Sequence, residues 1–68
     1  MSVSHILITG ARRNMERQRG WVEEHGSTLA GYQTHYTGSS YTPDDVTAIY
    51  QADVAKLDEL TTIYNLIR

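Results

Sequence analysis

Val3-Ser4-His5-Ile6-Leu7-Ile8-Thr9-Gly10 is the stretch on which the fold turns. Val3, Ile6, Ile8 and Thr9 are β-branched, the run is short, and a glycine closes it. It therefore reads as a strand over residues 3–9 stopped by Gly10. Leu7 and Ile8 also continue the apolar stripe of the segment that follows, so an earlier helix start competes with the strand. Periodicity over so few residues does not decide between the two.

Downstream, residues 11–25 read as a helix with a thin apolar stripe of Ala11, Met15 and Val22, and Trp21 at its edge. Gly20 lies opposite that stripe, where it costs about 1 kcal/mol without disturbing packing. Residues 26–42 carry no charge and hold three Gly, three Ser, four Thr and three Tyr, which argues against a helix. Thr28 to Thr37 alternates Ala30, Tyr32, Thr34 and Tyr36 on one face and suits a strand or an ordered loop over 28–37.

The last segment is the plainest. Thr42 can cap a helix, Pro43 suits its first position, and Asp44 and Asp45 favour the positive end of its dipole. No Gly or Pro interrupts the chain from there to Arg68. At 100° per residue Val46, Ile49, Tyr50, Leu57, Leu60, Tyr64 and Ile67 fall on one broad stripe, which predicts a helix over 43–67. Lys56 is within reach of Asp53 and Glu59, each three residues away. Asp53 stands in the middle of the stripe. Its carboxylate is expected to turn toward solvent or Lys56, or else to meet an arginine of the first segment or a second subunit.

Together these segments predict a helix-dominated α+β single domain over residues 1–68, ordered strand, helix, strand or loop, helix. The alternative is an all-α helical hairpin with a long connection. Two strands make no stable sheet unaided, and the first helix is too narrow to cover the apolar face of the last. That mismatch predicts association.

Composition narrows the function. The chain has 68 residues, no cysteine, 40% hydrophobic and 21% charged residues, and a net charge of -2. Disulfides and thiolate chemistry are excluded, and simple disorder is not expected. The weak net charge supplies no global pull toward nucleic acid or an acidic membrane. No apolar run is long enough to span a bilayer, and the arginines follow the short apolar stretch instead of preceding it, the reverse of a signal peptide. An intracellular (cytoplasmic) setting, or a place inside a larger particle, is expected.

Ile6-Leu7-Ile8-Thr9-Gly10-Ala11-Arg12 superficially resembles the opening of a nucleotide-binding βαβ unit, yet it lacks the further glycines that let a backbone approach phosphates. His5, His25 and His35 are spaced by twenty and ten residues and match no metal-ligand pair. No serine or threonine stands in a nucleophile's context beside an oriented base, and the paired acids diverge on a helix. So small a domain also lacks room for a pocket that surrounds a substrate. Neither enzymatic activity, nor a small-molecule substrate, nor a cofactor or metal is expected.

Arg12, Arg13, Arg17 and Arg19 form the strongest local charge signal, but they divide between two flanks of the helix with glutamates among them. They make a nucleic-acid-binding regulator the second expectation. The tyrosines point elsewhere, since a ring that tolerates half-exposure is favoured at interfaces. The first expectation is a protein–protein interaction module, acting as a small homo-oligomer or as an accessory subunit of a larger assembly, of the kind found in viral or phage particles. Its predicted partner-binding residues are Ile49, Tyr50, Leu57, Leu60, Tyr64 and Ile67 on the last helix, with Tyr32 and Tyr36.

Overall fold

The computed structural model describes residues 3–68 and shows three helices: α1 (Val3–Glu24), α2 (Leu29–His35) and α3 (Pro43–Ile67). No strand occurs among the described residues. Both predicted strands are therefore corrected, and with them the α+β class. The all-α hairpin is the architecture, with a short helix built into its connection.

The strand over 3–9 gives way to helix because α1 carries a seven-residue repeat. Ile8, Ala11, Met15, Gln18, Val22 and His25 follow one another at alternating spacings of three and four, which keeps them on one side of a helix. Every one of them is buried or half-buried. α3 answers with Val46, Tyr50, Asp53, Leu57, Leu60 and Tyr64 at the same spacings, all likewise buried or half-buried. The two helices pack along most of their length as an antiparallel pair. Helix packing outweighs the small preference of Ile and Thr for strands. Gly10 and Gly20 lie inside α1, and a Cβ at either would meet no atom within 4 Å.

α1 ends in a Schellman motif: Gly26 N–H donates to the Glu23 carbonyl at 3.0 Å and Ser27 N–H to that of Val22 at 3.0 Å. Gly26 takes the required positive φ of 94°. The segment over 28–37 is corrected to helix for a specific reason. Thr28 caps it, its hydroxyl accepting from Gly31 N–H at 3.0 Å. Tyr32 and Tyr36 are two steps of a period-2 pattern, but they are also one i,i+4 helical pair, and Tyr36 N–H donates to the Tyr32 carbonyl at 3.0 Å. α3 begins as its sequence predicts. Asp45 N–H donates to the Thr42 hydroxyl at 3.1 Å and Thr42 N–H to the Asp45 carboxylate at 3.0 Å, a reciprocal capping box before Pro43.

The result is a rod of 48 × 16 × 15 Å with a radius of gyration of 14.7 Å, against about 11 Å for a compact domain of this length. Its buried apolar residues are Met15, Val22, Tyr32 and Val46. Val22, Tyr32 and Val46 form one cluster, with Tyr36, Ile49, Tyr50 and Leu57 packed against it. This core sits toward the end of the rod where the connection folds over, here called the closed end. At the open end the termini of α1 and α3 lie side by side, with no third element among the described residues.

Candidate protein-interaction surface

One carboxylate gathers the closed end. Asp53 on α3 accepts from Trp21 Nε1 on α1 at 3.0 Å and from the Tyr32 hydroxyl on α2 at 2.8 Å. Gln18 Nε2 donates to the Asp53 backbone carbonyl at 2.9 Å. The acid that interrupts the apolar stripe thus ties three helices together. Two of the partners expected for it are corrected: among the described residues it pairs with neither Lys56 nor an arginine of its own chain. Bonds to an ionised acceptor are the stronger kind of hydrogen bond, and they make a seam position that would repel a carboxylate into one that requires it.

Aromatic rings fill the space behind this node. His25 is buried, its Nδ1 lies 2.7 Å from the Trp21 carbonyl oxygen, and its ring stands 4.4 Å from that of Trp21 and 4.1 Å from that of His35. A nitrogen this close to a carbonyl carries a proton and donates. Folding therefore brings together two histidines whose spacing suggested no relation. They meet ring against ring, and among the described residues no group of three or more His, Asp or Glu is arranged to hold a metal ion. The Tyr32 and Tyr50 rings meet edge to face at 5.2 Å, as do those of Tyr36 and Tyr41 at 5.4 Å.

Tyr32 is fully enclosed. Burial, the hydrogen bond to Asp53 and that group's negative charge all raise its pKa well above the ordinary value. Burial and the charges of Asp53 and Tyr41 move Tyr36 in the same direction. The unfolded chain releases the Tyr32 proton from about pH 10, whereas the folded chain keeps it. Stability is accordingly intact below about pH 10 and falls above it by up to about 1.4 kcal/mol per pH unit, until the folded group also ionises. Denaturant melts across that range check this, together with tyrosinate absorbance. One tyrosine should ionise only as the chain unfolds. Ionisation of all five with the helices intact would contradict the assignment.

The predicted partner-binding residues divide between inside and outside. Tyr32 belongs to the core, and Ile49, Tyr50, Leu57 and Tyr36 pack against it. Leu60 and Tyr64 are half-buried, and Ile67 is exposed. Arg12, Arg13, Arg17 and Arg19 are all exposed, and Arg19 lies back along its own helix toward the Met15 sulfur at 3.8 Å. The four do not converge on one face.

The largest exposed apolar feature is one of which the sequence reading named only Leu60 and Ile67. At the open end Ile6 and Leu7 of α1 are 56% and 59% exposed, and Ile63, Leu66 and Ile67 of α3 are 41%, 79% and 40% exposed. Ile6, Leu7, Gly10, Leu60, Ile63 and Ile67 line a shared groove of about 340 Å³ between the two helices. Leu66 stands one turn from Ile63 on its outer edge. The signal was present as a second run of 3–4 spacings beside the seam, but it is visible only once residues 3–10 are helical.

No family model, curated protein or solved structure matches the chain. Among the described residues no helix is long and apolar enough to cross a membrane.

Proposed function

We propose that the chain is a non-enzymatic protein–protein interaction module, working as a small homo-oligomer or as an accessory subunit of a larger assembly, and that it docks through the apolar face at its open end. The observation that carries this reading is the cluster of Ile6, Leu7, Ile63, Leu66 and Ile67 at the end of the rod away from the Val22, Tyr32 and Val46 core. Its accessible surface of 4946 Å² exceeds the roughly 4,300 Å² expected of a globular monomer of its mass. Contiguous apolar surface of this kind marks interaction sites. No observation favours the arginines as a nucleic-acid surface, because Arg12 and Arg19 face away from Arg13 and Arg17.

Aspartate at exposed apolar positions tests the reading without touching the core. Ile63→Asp and Leu66→Asp should keep the parent's helical content and melting temperature and lose its association in sedimentation equilibrium and in co-purification from its native host. Leu57→Asp, which plants a charge against the core, should instead unfold the chain. Equal association by the parent and both open-end variants would remove the reading.

A further inference from the structure

We infer that the open-end groove receives an acidic amphipathic helix of a partner protein, which sets apolar side chains between Leu7 and Ile63 and a carboxylate, two turns away, on Arg17 and Lys56. This rests on the docking reading above and names the chemistry of its partner.

The apolar groove continues toward the middle of the rod. Asn14 and Leu60, which help line it, also line a second groove of about 260 Å³ completed by Arg17, Gln18 and Lys56. The two grooves therefore run into one another along one face of the α1–α3 pair. The hydrogen bond from Gln18 to the Asp53 carbonyl sets those two residues level. Arg17 then lies one residue toward the open end and Lys56 three, while Gly10 and Ile63 lie eight and ten residues toward it. The basic and apolar centres are thus about seven residues, or roughly 11 Å, apart along the rod. A helix laid in the groove reaches both with side chains two turns apart on one face.

Charge selects an acid for the basic end. Arg17 and Lys56 are exposed, and among the described residues neither forms a hydrogen bond or an ion pair. Of the acids beside them, Asp53 already accepts from Trp21 and Tyr32, and Glu59, one turn beyond Lys56, pairs with neither cation. One cation stands on each wall of the groove, with the Asn14 amide beside them, so a carboxylate entering there meets donors from both helices. A nucleic-acid backbone would satisfy the cations but leave Leu7, Ile63 and Ile67 in water. A helix suits the walls, because two antiparallel helices leave a channel parallel to their axes that an amphipathic helix fills. At the closed end a third helix, α2, already packs on α3 and brings Tyr32 to Asp53.

Helical peptides test the charge on the full chain. The probe is an alanine-rich peptide of about 18 residues, with leucines on one stripe and two glutamates about seven residues away on the same stripe. Its controls carry glutamine or lysine in place of the glutamates. Trp21 is the only tryptophan, is 48% exposed and stands one turn from Arg17, so its fluorescence reports occupancy. The glutamate peptide should bind with a Kd about fivefold or more below that of the glutamine peptide, and the lysine peptide more weakly than either. Arg17→Glu/Lys56→Glu should invert that order and keep the parent's melting temperature, since both residues are exposed. Ile63→Asp should weaken all three peptides. Equal binding of the glutamate and glutamine peptides, binding of none, or an order that the reversal leaves unchanged overturns the inference. So does a parent that fills the groove with its own copy, seen in sedimentation as a dimer that Ile63→Asp and the charge reversal both dissociate. The docking reading fails separately, and only if Ile63→Asp and Leu66→Asp leave association of every kind unchanged.

Discussion

Asp53→Ala is expected to destabilise the chain by about 3 kcal/mol and lower its melting temperature by roughly 12–24 °C. The carboxylate receives Trp21 Nε1 and the Tyr32 hydroxyl, and each bond to an ionised group contributes about 1.5–3 kcal/mol. The two donors fare differently once it is gone. Trp21 is 48% exposed and recovers water, but Tyr32 is 0% exposed and its hydroxyl is stranded at a further cost of about 1–3 kcal/mol. Against these losses stands the desolvation of a half-buried carboxylate, which the substitution relieves. A domain of this size commands only about 3–10 kcal/mol in all, so the variant sits at the edge of unfolding. Asp53→Asn retains an acceptor and should cost less. Tyr32→Phe removes the hydroxyl along with its need, so the pair Asp53→Ala and Tyr32→Phe should be less damaging together than the sum of its members. Urea melts of the four chains measure that coupling. Strict additivity would mean that the bond does not hold α2 to α3.

This node also shows where reading the sequence stopped. That Asp53 is anomalous within an apolar stripe is legible from its neighbours. Its partners are not, because Trp21 and Tyr32 lie 32 and 21 residues away and only the tertiary fold brings them near. α3 was legible from its first residues, since the Thr42–Asp45 capping box and Pro43 act entirely within one turn. α1 was obscured twice. Val3, Ile6, Ile8 and Thr9 have strand preferences, and two positions of its heptad stripe, Gln18 and His25, are polar and so drop out of any apolar pattern. They are tolerated in the seam because each finds a backbone carbonyl, Gln18 that of Asp53 and His25 that of Trp21. The α1 half of the proposed docking face was lost with α1: with residues 3–9 extended, Ile6 and Leu7 point to opposite sides of a strand and do not line one groove with Ile63. The predicted partner surface on α3 then absorbed residues, Ile49, Tyr50 and Leu57 among them, that the folded chain spends on its own core.

Gly→Ala is expected to have opposite signs at two helical glycines. At Gly20 a Cβ would meet nothing within 4 Å, so alanine should stabilise α1 by about 0.5–1 kcal/mol through its better helix propensity. Gly20 is a cleaner reference than Gly10, which lines the open-end groove. At Gly31 the same propensity gain is available, because Gly31 also lies inside a helix. Yet its Cβ would stand 2.5 Å from the Gly26 carbonyl oxygen and 2.7 Å from the Gly26 carbonyl carbon. These are backbone atoms of a turn whose geometry is already fixed by the Schellman bonds and by the positive φ of Gly26. No side chain can swing away to relieve the contact, so α2 must lift from the end of α1. Lifting it draws Tyr32 out of the core and away from Asp53, and Gly31→Ala should therefore cost about 3 kcal/mol or more, at the upper end of overpacking. Gly38→Ala separates the two possible causes. Gly38 has a φ of 82° with open space around it, so alanine there meets only backbone strain of about 1–2 kcal/mol. The expected order of melting temperatures is Gly20→Ala above the parent, then Gly38→Ala, then Gly31→Ala. A Gly31→Ala chain that melts with or above the parent would show that the turn and α2 are not in contact, and the seating of Tyr32 over Asp53 would fall with it.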